Sequence, residues 1–355
     1  MHLPLAAFYN TFDPFLFRIS GELGIRWYGL SYVVSFGLAY WLMLRLARTG
    51  RSMLTAERIP DAMLALMAGV IVGGRVGYCL LYEPSILISF HSSFPFWDLF
   101  QLQRGGMSFH GGLLGVIIAA IWFARGRRQP DGTRSNAIPI MHFFDVLALC
   151  TPVGLGLGRL ANFINGELLG RIASPPGESA PWWAVRFPHE LTSGQSLVQT
   201  PEQLAKIQAI AAVAAPGEPD ADAAVSILVH KVLSGNQGLA QQLEPLISAR
   251  HPSQVYQLLA EGVVTGAILW VVALPRFGIF PRRPGVIGCL FMICYGLSRV
   301  ITELYRLPDS QLAIKTVMGL SRGQWFSVGM AIVGVILMFI VVRRHAQVNK
   351  LVVAS

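Results

Sequence analysis

Charged side chains are scarce in this chain: Lys, Arg, Asp and Glu together make up 13% of its 355 residues, about half the share of a soluble domain. That shortage, with a hydrophobic fraction of 53% and a mean hydropathy of +0.52, excludes a water-soluble globule as the starting point. Cysteine is nearly absent. The four thiols, Cys79, Cys150, Cys289 and Cys294, all sit in apolar segments without CxxC spacing, so neither a disulfide framework nor a zinc site is indicated and each reads as a small packing group. Catalytic signatures are missing too. There is no GxSxG elbow, no P-loop and no carboxylate cluster for a metal, and His189-Glu190 is followed by Leu191-Thr192-Ser193 rather than completing HExxH. Serine hydrolysis, zinc proteolysis and nucleotide-driven pumping lose support.

What the sequence has in abundance is long apolar runs. Spans are predicted at 27–44, 60–81, 107–124, 138–158, 254–275, 285–304 and 324–342, each near the roughly 20 residues needed to cross a bilayer as a helix. The expectation is an all-α polytopic membrane protein with seven transmembrane helices. The net charge of +9 comes from short loops between these runs, not from one soluble face, so the membrane explains the basicity and nucleic acid is not an expected partner. Basic clusters follow the first span (Arg45, Arg48, Arg51, Arg58), the third (Arg125, Arg127, Arg128, Arg134), the fifth (Arg276, Arg282, Arg283) and the seventh (Arg343, Arg344, Lys350). The positive-inside rule then puts the C-terminus in the cytoplasm and the N-terminus outside. Trp27, Trp97, Trp182, Trp183 and Trp325 flank spans or the outer loop, where indoles suit an interface. No small-residue cleavage pattern follows an early apolar core, which argues against a removable signal peptide.

The segment from about 171 to 250 is too long for a bare loop. Thr200-Pro201-Glu202-Gln203 has a hydroxyl at the N-cap, proline at the first helical position and an amide at the third, a start signal for a helix. Further helices are predicted from Asp222 to Leu233, before Gly235, and over 239–249, which together make a small helical head on the outer face. The expected division is 1–170 with helices 1–4, 171–250 as the head, and 251–355 with helices 5–7.

An ionisable group near the bilayer centre costs about 2.5–3.5 kcal/mol on insertion scales, so each one needs a partner or a task. His110 stands in Gly105-Gly106-Met107-Ser108-Phe109-His110-Gly111-Gly112. It is either a histidine hydrogen-bonded between helices or a group whose proton moves near neutral pH. Arg159 closes Gly154-Leu155-Gly156-Leu157-Gly158-Arg159, with Asn162 three residues on and Asn165-Gly166-Glu167 beyond. The glycines thin that helix enough for a lipid headgroup to reach the guanidinium. Tyr295, Arg299, Glu303 and Arg306 form one helical stripe. It reads as a self-neutralising Arg299-Glu303 pair or as a phosphate site in which Glu303 holds an arginine. Arg75, in Gly73-Gly74-Arg75-Val76-Gly77-Tyr78, adds another cation. The excess of arginine over acid points to an anionic ligand entering from the outer leaflet, and a phospholipid headgroup is the abundant candidate.

The motifs together resemble the phosphatidylglycerol–prolipoprotein diacylglyceryl transferases of bacterial inner membranes. The resemblance rests on Trp27-Tyr28-Gly29, the string from Gly73 to Tyr78, Gly106 to Gly112, the Gly158-Arg159 to Gly170 signature, His251-Pro252-Ser253-Gln254, and Tyr295 to Arg306 with Pro308-Asp309. It covers all the predicted spans and excludes only about 190–250.

What the resemblance implies is transfer of a diacylglyceryl group from phosphatidylglycerol to the lipobox cysteine of a preprolipoprotein, giving a thioether and glycerol phosphate. Its partners are that lipid, the acceptor's signal peptide and the bilayer, and no metal or organic cofactor is required. Arg159 and Arg299 are expected to stabilise the departing phosphate, and His110 to take the thiol proton or to position the headgroup while a cationic pocket lowers the thiol pKa. Tyr28 and Asn162 are expected to donate hydrogen bonds to the donor lipid, and Glu167 and Glu303 to orient arginines. Arg75, Gly170, Tyr295 and Arg306 complete the expected substrate site. The family commonly carries a Tyr-Glu pair where this chain has Tyr256-Gln257, which leaves Glu261 as the nearby carboxylate to compensate. The alternative reading from composition is a phospholipid transporter or scramblase, although no inverted halves are visible. A structural or chaperone-like subunit is a third class, one that tolerates loss of Arg159.

Overall fold

The computed structural model describes residues 7–20, 23–92, 96–101, 105–132, 134–193, 199–307, 316–317 and 319–354. The expected Pro308-Asp309 motif lies outside them. Ten helices follow in chain order among the described residues: α1 (Trp27–Arg48), α2 (Ile59–Leu81), α3 (Phe109–Ala124), α4 (Ile140–Ile164), α5 (Pro201–Ala214), α6 (Ala221–Leu233), α7 (Gln237–Leu243), α8 (Ser253–Val272), α9 (Val286–Glu303) and α10 (Arg322–Ala354). Six of them, α1, α2, α4, α8, α9 and α10, are long and apolar enough to cross a membrane, and α3 is a shorter apolar helix. Large apolar side chains such as Val33, Leu64, Ile118, Trp122 and Ile336 lie exposed along them. That is the wrong surface for water and the right one for lipid.

The helix count differs from the predicted seven at α3. Ser108 caps it, its hydroxyl accepting from the Gly111 amide at 3.2 Å, so Met107 and Ser108, the first residues of the predicted 107–124 span, lie before a helix of 16 residues. The sequence reading as all-α also misses short strands, two to six residues long. Among the described residues these are β1 (Phe8–Tyr9), β2 (Phe15–Ser20), β3 (Leu23–Arg26), β4 (Arg127–Arg128), β5 (Arg134–Ser135), β6 (Ile172–Ser174), β7 (Val185–Arg186), β8 (Ala249–Arg250), β9 (Thr316–Val317) and β10 (Leu320–Ser321). Strands this short carry too little alternation to be seen in a sequence.

The chain divides into two compact units. One comprises residues 1–35, 151–268 and 290–337. Its four-stranded sheet has the order β1-β7-β8-β6, with β1 parallel to β7 and the other pairs antiparallel. Beside Ala249 on β8, Arg250 is fully buried with its Nε 2.6 Å from the equally buried Glu190, whose other oxygen accepts from the Ser248 amide and from Gln199. Helices α5–α7 pack around Ile207, Leu228, Leu243 and Ile247. Burial of each such side chain contributes about 1.5–3 kcal/mol. Thr200 and Gln203 form the reciprocal cap expected of α5, and Asp220 caps α6. The third helix, predicted over 239–249, ends at Leu243 because Pro245 tightens the next turn and the chain runs on into β8.

The second unit comprises residues 36–150, 269–289 and 338–355. Here α2 and α3 touch backbone to backbone. A Cβ on Gly69 would stand 2.6 Å from the Gly115 carbonyl oxygen, and one on Gly77 2.6 Å from the Gly111 Cα, which is the close approach that small residues permit between membrane helices. Asp145, buried on α4, accepts from the amides of Gly285 and Gly288 at 2.7 Å each and so supplies the cap at the start of α9.

Candidate active site

The polar residues of α4, α8 and α9 meet inside the first unit. Pro152 and the alternating glycines on α4 leave a narrow face, and α8 lies against it: a Cβ on Gly262 would stand 2.9 Å from the Gly156 Cα, and one on Gly266 3.2 Å from the Pro152 Cβ. Over Leu258–Val264 α8 widens into a π-helical turn, a distortion frequent at functional sites. The Ala260 carbonyl there accepts from Thr265 Oγ1 at 2.8 Å and from Ser298 Oγ at 3.3 Å.

This packing sets Glu261 beside the arginine one turn beyond Gly156. Arg159 donates from Nε and Nη2 to Glu261 Oε2 at 3.2 and 3.1 Å. The other oxygen of the same carboxylate is 3.5 Å from Arg299 Nη1. Arg299 reaches Glu303 at 3.0 Å, and Glu303 lies 3.6 Å from Arg306. The result is a row, Arg159, Glu261, Arg299, Glu303, Arg306, in which Glu261 has no exposed side-chain surface and Arg159 keeps only 15%. Three cations alternate with two anions, so the row carries one surplus positive charge at a depth where screening by water is weak. Tyr295 lies close enough to interact with both Arg159 and Arg299.

The signature after Arg159 folds back on itself. Glu167 accepts from Asn162 at 2.9 Å and from Asn165 at 3.2 Å, so its carboxylate is held by amides while Glu261 is the acid on Arg159. Gly166 and Leu168 adopt positive φ values of 63° and 55°. Ser253 donates to the Leu168 carbonyl at 2.9 Å, and Gln254 to that of Glu167. Gly170 pairs backbone to backbone with Arg306, and a Cβ there would collide with the His251 carbonyl oxygen. Glycine is required by that contact. Tyr28, half exposed at the start of α1, lies near enough to Arg159 and Glu167 to interact with both charges. Of the expected site residues, Tyr28, Arg159, Asn162, Glu167, Gly170, Tyr295, Arg299, Glu303 and Arg306 therefore all fall in one unit.

Arg75 and His110 belong to the other unit. Arg75 is buried and its guanidinium donates to four backbone carbonyls: Nε to Leu99, Nη1 to Gly105 and Gly106, and Nη2 to Asp98, at 2.6–3.1 Å. Its hydrogens fasten a loop. His110 is exposed in the first turn of α3.

Outside the membrane helices, His189 packs its ring over Gly166, and burial pushes its pKa down to about 4. Burial and the nearby Arg171 also lower the pKa of His251, which stacks on Trp183 at 4.7 Å between ring centroids.

Fold and site together define a multi-pass helical membrane protein with a buried, net-positive arginine row. Prolipoprotein diacylglyceryl transferase is the family whose model matches, over residues 14–340. The chain is 34% identical over 346 residues to a phosphatidylglycerol–prolipoprotein diacylglyceryl transferase of Bdellovibrio bacteriovorus, covering 93% of each chain. It is 38% identical over 345 residues to the enzyme so named from Yersinia enterocolitica, covering 96% of this chain and 97% of that one. This chain belongs to the prolipoprotein diacylglyceryl transferase family.

Sequence reasoning raised Glu261 only as a stand-in for a neighbouring carboxylate, and gave no sign that it bridges two arginines. The signal available was a lone acid in an apolar helix. Asp145 was overlooked for the same reason, since its capping partners lie about 140 residues away in sequence.

Proposed function

We propose that this chain transfers the diacylglyceryl group of phosphatidylglycerol to the lipobox cysteine of a preprolipoprotein, forming a thioether and releasing glycerol phosphate, the first step of lipoprotein maturation. The observation that carries this reading beyond family membership is the buried net-positive row from Arg159 to Arg306, four of whose five members stand on the apolar helices α4, α8 and α9 and the last, Arg306, just beyond α9. A phosphodiester is a monoanion and matches its surplus charge. In the transfer, the acceptor sulfur forms a bond to the glycerol carbon that bears the phosphate ester, the C–O bond breaks, and the electron pair leaves on the phosphate oxygen. Charge on the leaving group rises at that moment. Arg159 and Arg299, already held by acids, meet it without reorganising, which is the condition for strong electrostatic catalysis.

The acceptor thiol starts near pKa 8.5 and reacts as thiolate. His110 is the residue we assign to take its proton. Asn162 and Tyr28 donate hydrogen bonds to the donor's glycerol and phosphate oxygens, Glu167 holds the Asn162 amide in place, and Gly170, Tyr295, Glu303 and Arg306 complete the site. Arg75, expected in the substrate site, instead directs its donors to the backbone carbonyls of Asp98, Leu99, Gly105 and Gly106.

In this reading α3 is a seventh span. Sixteen residues reach about 24 Å, and the non-helical residues Gly105 to Ser108 supply the remainder. Helices α5–α7 form the head of the 171–250 segment on the periplasmic face, between a 1–170 part and a 251–355 part. The N-terminus is periplasmic and the C-terminus, with Arg343 and Arg344, cytoplasmic, in the bacterial inner membrane.

The test is direct. Purified protein in vesicles containing phosphatidylglycerol is incubated with a lipobox peptide, and the peptide gains the mass of one diacylglyceryl unit. Movement of lipid between leaflets with no covalent product would instead favour a scramblase.

A further inference from the structure

Glu261 has a geometry that ordinary charge neutralisation does not require. One carboxylate, without exposed surface, serves two arginines on two different helices, using Oε2 for Arg159 on α4 and Oε1 for Arg299 on α9. Its placement is fixed from three directions. The π-helical turn of α8 carries it, the Gly156–Gly262 contact sets how α8 and α4 meet beside it, and Ser298, one residue before Arg299, donates to the Ala260 carbonyl one residue before Glu261. Among the described residues no other acid forms an ion pair with both arginines, and Gln257, fully buried one turn earlier, has no hydrogen-bond partner for either amide atom. Two buried cations brought together without an anion would repel and turn apart.

We propose that Glu261 is a positioning residue for the transfer reaction: it holds Arg159 and Arg299 as one clamp whose outward-facing donors take the phosphate as its ester bond breaks. The proposal rests on the transferase reading. Glu261 takes no proton and forms no bond to substrate. Occupying the Nε–Nη2 edge of Arg159, with Tyr295 also hydrogen-bonded to that guanidinium, it selects which edge is turned to the headgroup.

The experiment compares wild type, E261Q, E261D, R159K and the double variant R159K/E261Q, each as full-length protein with phosphatidylglycerol vesicles and lipobox peptide. Thermal unfolding in detergent is followed alongside. Wild-type turnover establishes the reading itself, and its absence overturns both. Given that turnover, E261Q is expected to lose about 30-fold or more in kcat while KM for phosphatidylglycerol moves by less than about threefold, because the lost interaction acts on the departing charge. E261D, which keeps the charge on a shorter arm, should retain an intermediate rate. Adding E261Q to R159K should cost less than about threefold further, since the fork that it holds is already gone. A merely structural role would lower the unfolding temperature and leave kcat per folded molecule unchanged. That result, or independent multiplication of the R159K and E261Q effects, overturns the proposal. Where E261Q fails to accumulate, E261D carries the test: a wild-type kcat overturns it, and a loss of about tenfold at unchanged KM supports it.

Discussion

Replacing Arg159 by lysine separates charge from geometry. Arg159→Ala would leave Glu261 with Arg299 alone and unbalance a buried pair, at a cost of about 3–5 kcal/mol that mixes folding with catalysis. Lysine keeps the positive charge at that depth, so the row still alternates and the protein should still insert. What goes is the fork: Nε and Nη2, now 3.2 and 3.1 Å from one carboxylate oxygen, become a single ammonium that cannot hold an acid along one edge and a phosphate along the other. A hydrogen bond to a charged group contributes about 1.5–3 kcal/mol, and removing one donor aimed at transition-state charge typically lowers kcat by about 100- to 1,000-fold. We expect Arg159→Lys to lose about 100-fold in kcat with a smaller change in KM, read as initial rates of diacylglyceryl addition to a lipobox peptide by mass spectrometry. Turnover within about threefold of wild type would refute the assignment of a bidentate phosphate contact to this side chain.

Three further outcomes follow from particular contacts. Gly262→Ala places a Cβ 2.9 Å from Gly156 Cα and should destabilise the protein by about 1–3 kcal/mol through overpacking, whereas Gly156→Ala meets Gly262 Cα at 3.6 Å and should be near neutral; equal unfolding temperatures for the two would contradict the packing described. His189, with its pKa depressed to about 4 by burial, stays neutral when folded while the unfolded chain takes up a proton near pH 6.5. Its contribution, roughly 3 kcal/mol at most, is therefore complete above pH 6.5 and lost as pH falls toward 4. His189→Leu should flatten that acid-side slope, and an unaltered slope would assign it to other groups. For His110→Gln, transfer at pH 7 should fall by about 100-fold or more if the imidazole takes the thiol proton; undiminished transfer removes it as the base.

The stripe from Tyr295 to Glu303 was legible because an α-helix repeats at the spacing of those residues, and Glu303 does hold Arg299 as the i,i+4 rule requires. Arg306, read as its last member, instead lies beyond the end of α9 in a backbone pair with Gly170 and reaches Glu303 from there. The cap of α5 was legible because its partners are three residues apart. Glu261 was read only as a nearby stand-in, because its role arises from a π-helical turn and from two glycines on different helices, neither of which has a local period. Arg75 shows the converse failure. A lone arginine in a glycine-rich string looks the same whether it faces a ligand or a ring of carbonyls, and here the carbonyls hold it.

That carbonyl cage has a mechanical consequence. Through one side chain, α2 grips the backbone at Asp98, Leu99, Gly105 and Gly106, while the glycines of α2 and α3 meet backbone to backbone. The turn bearing His110 is thereby geared to α2, and any tilt of that helix as a lipid or peptide passes would swing the imidazole with it.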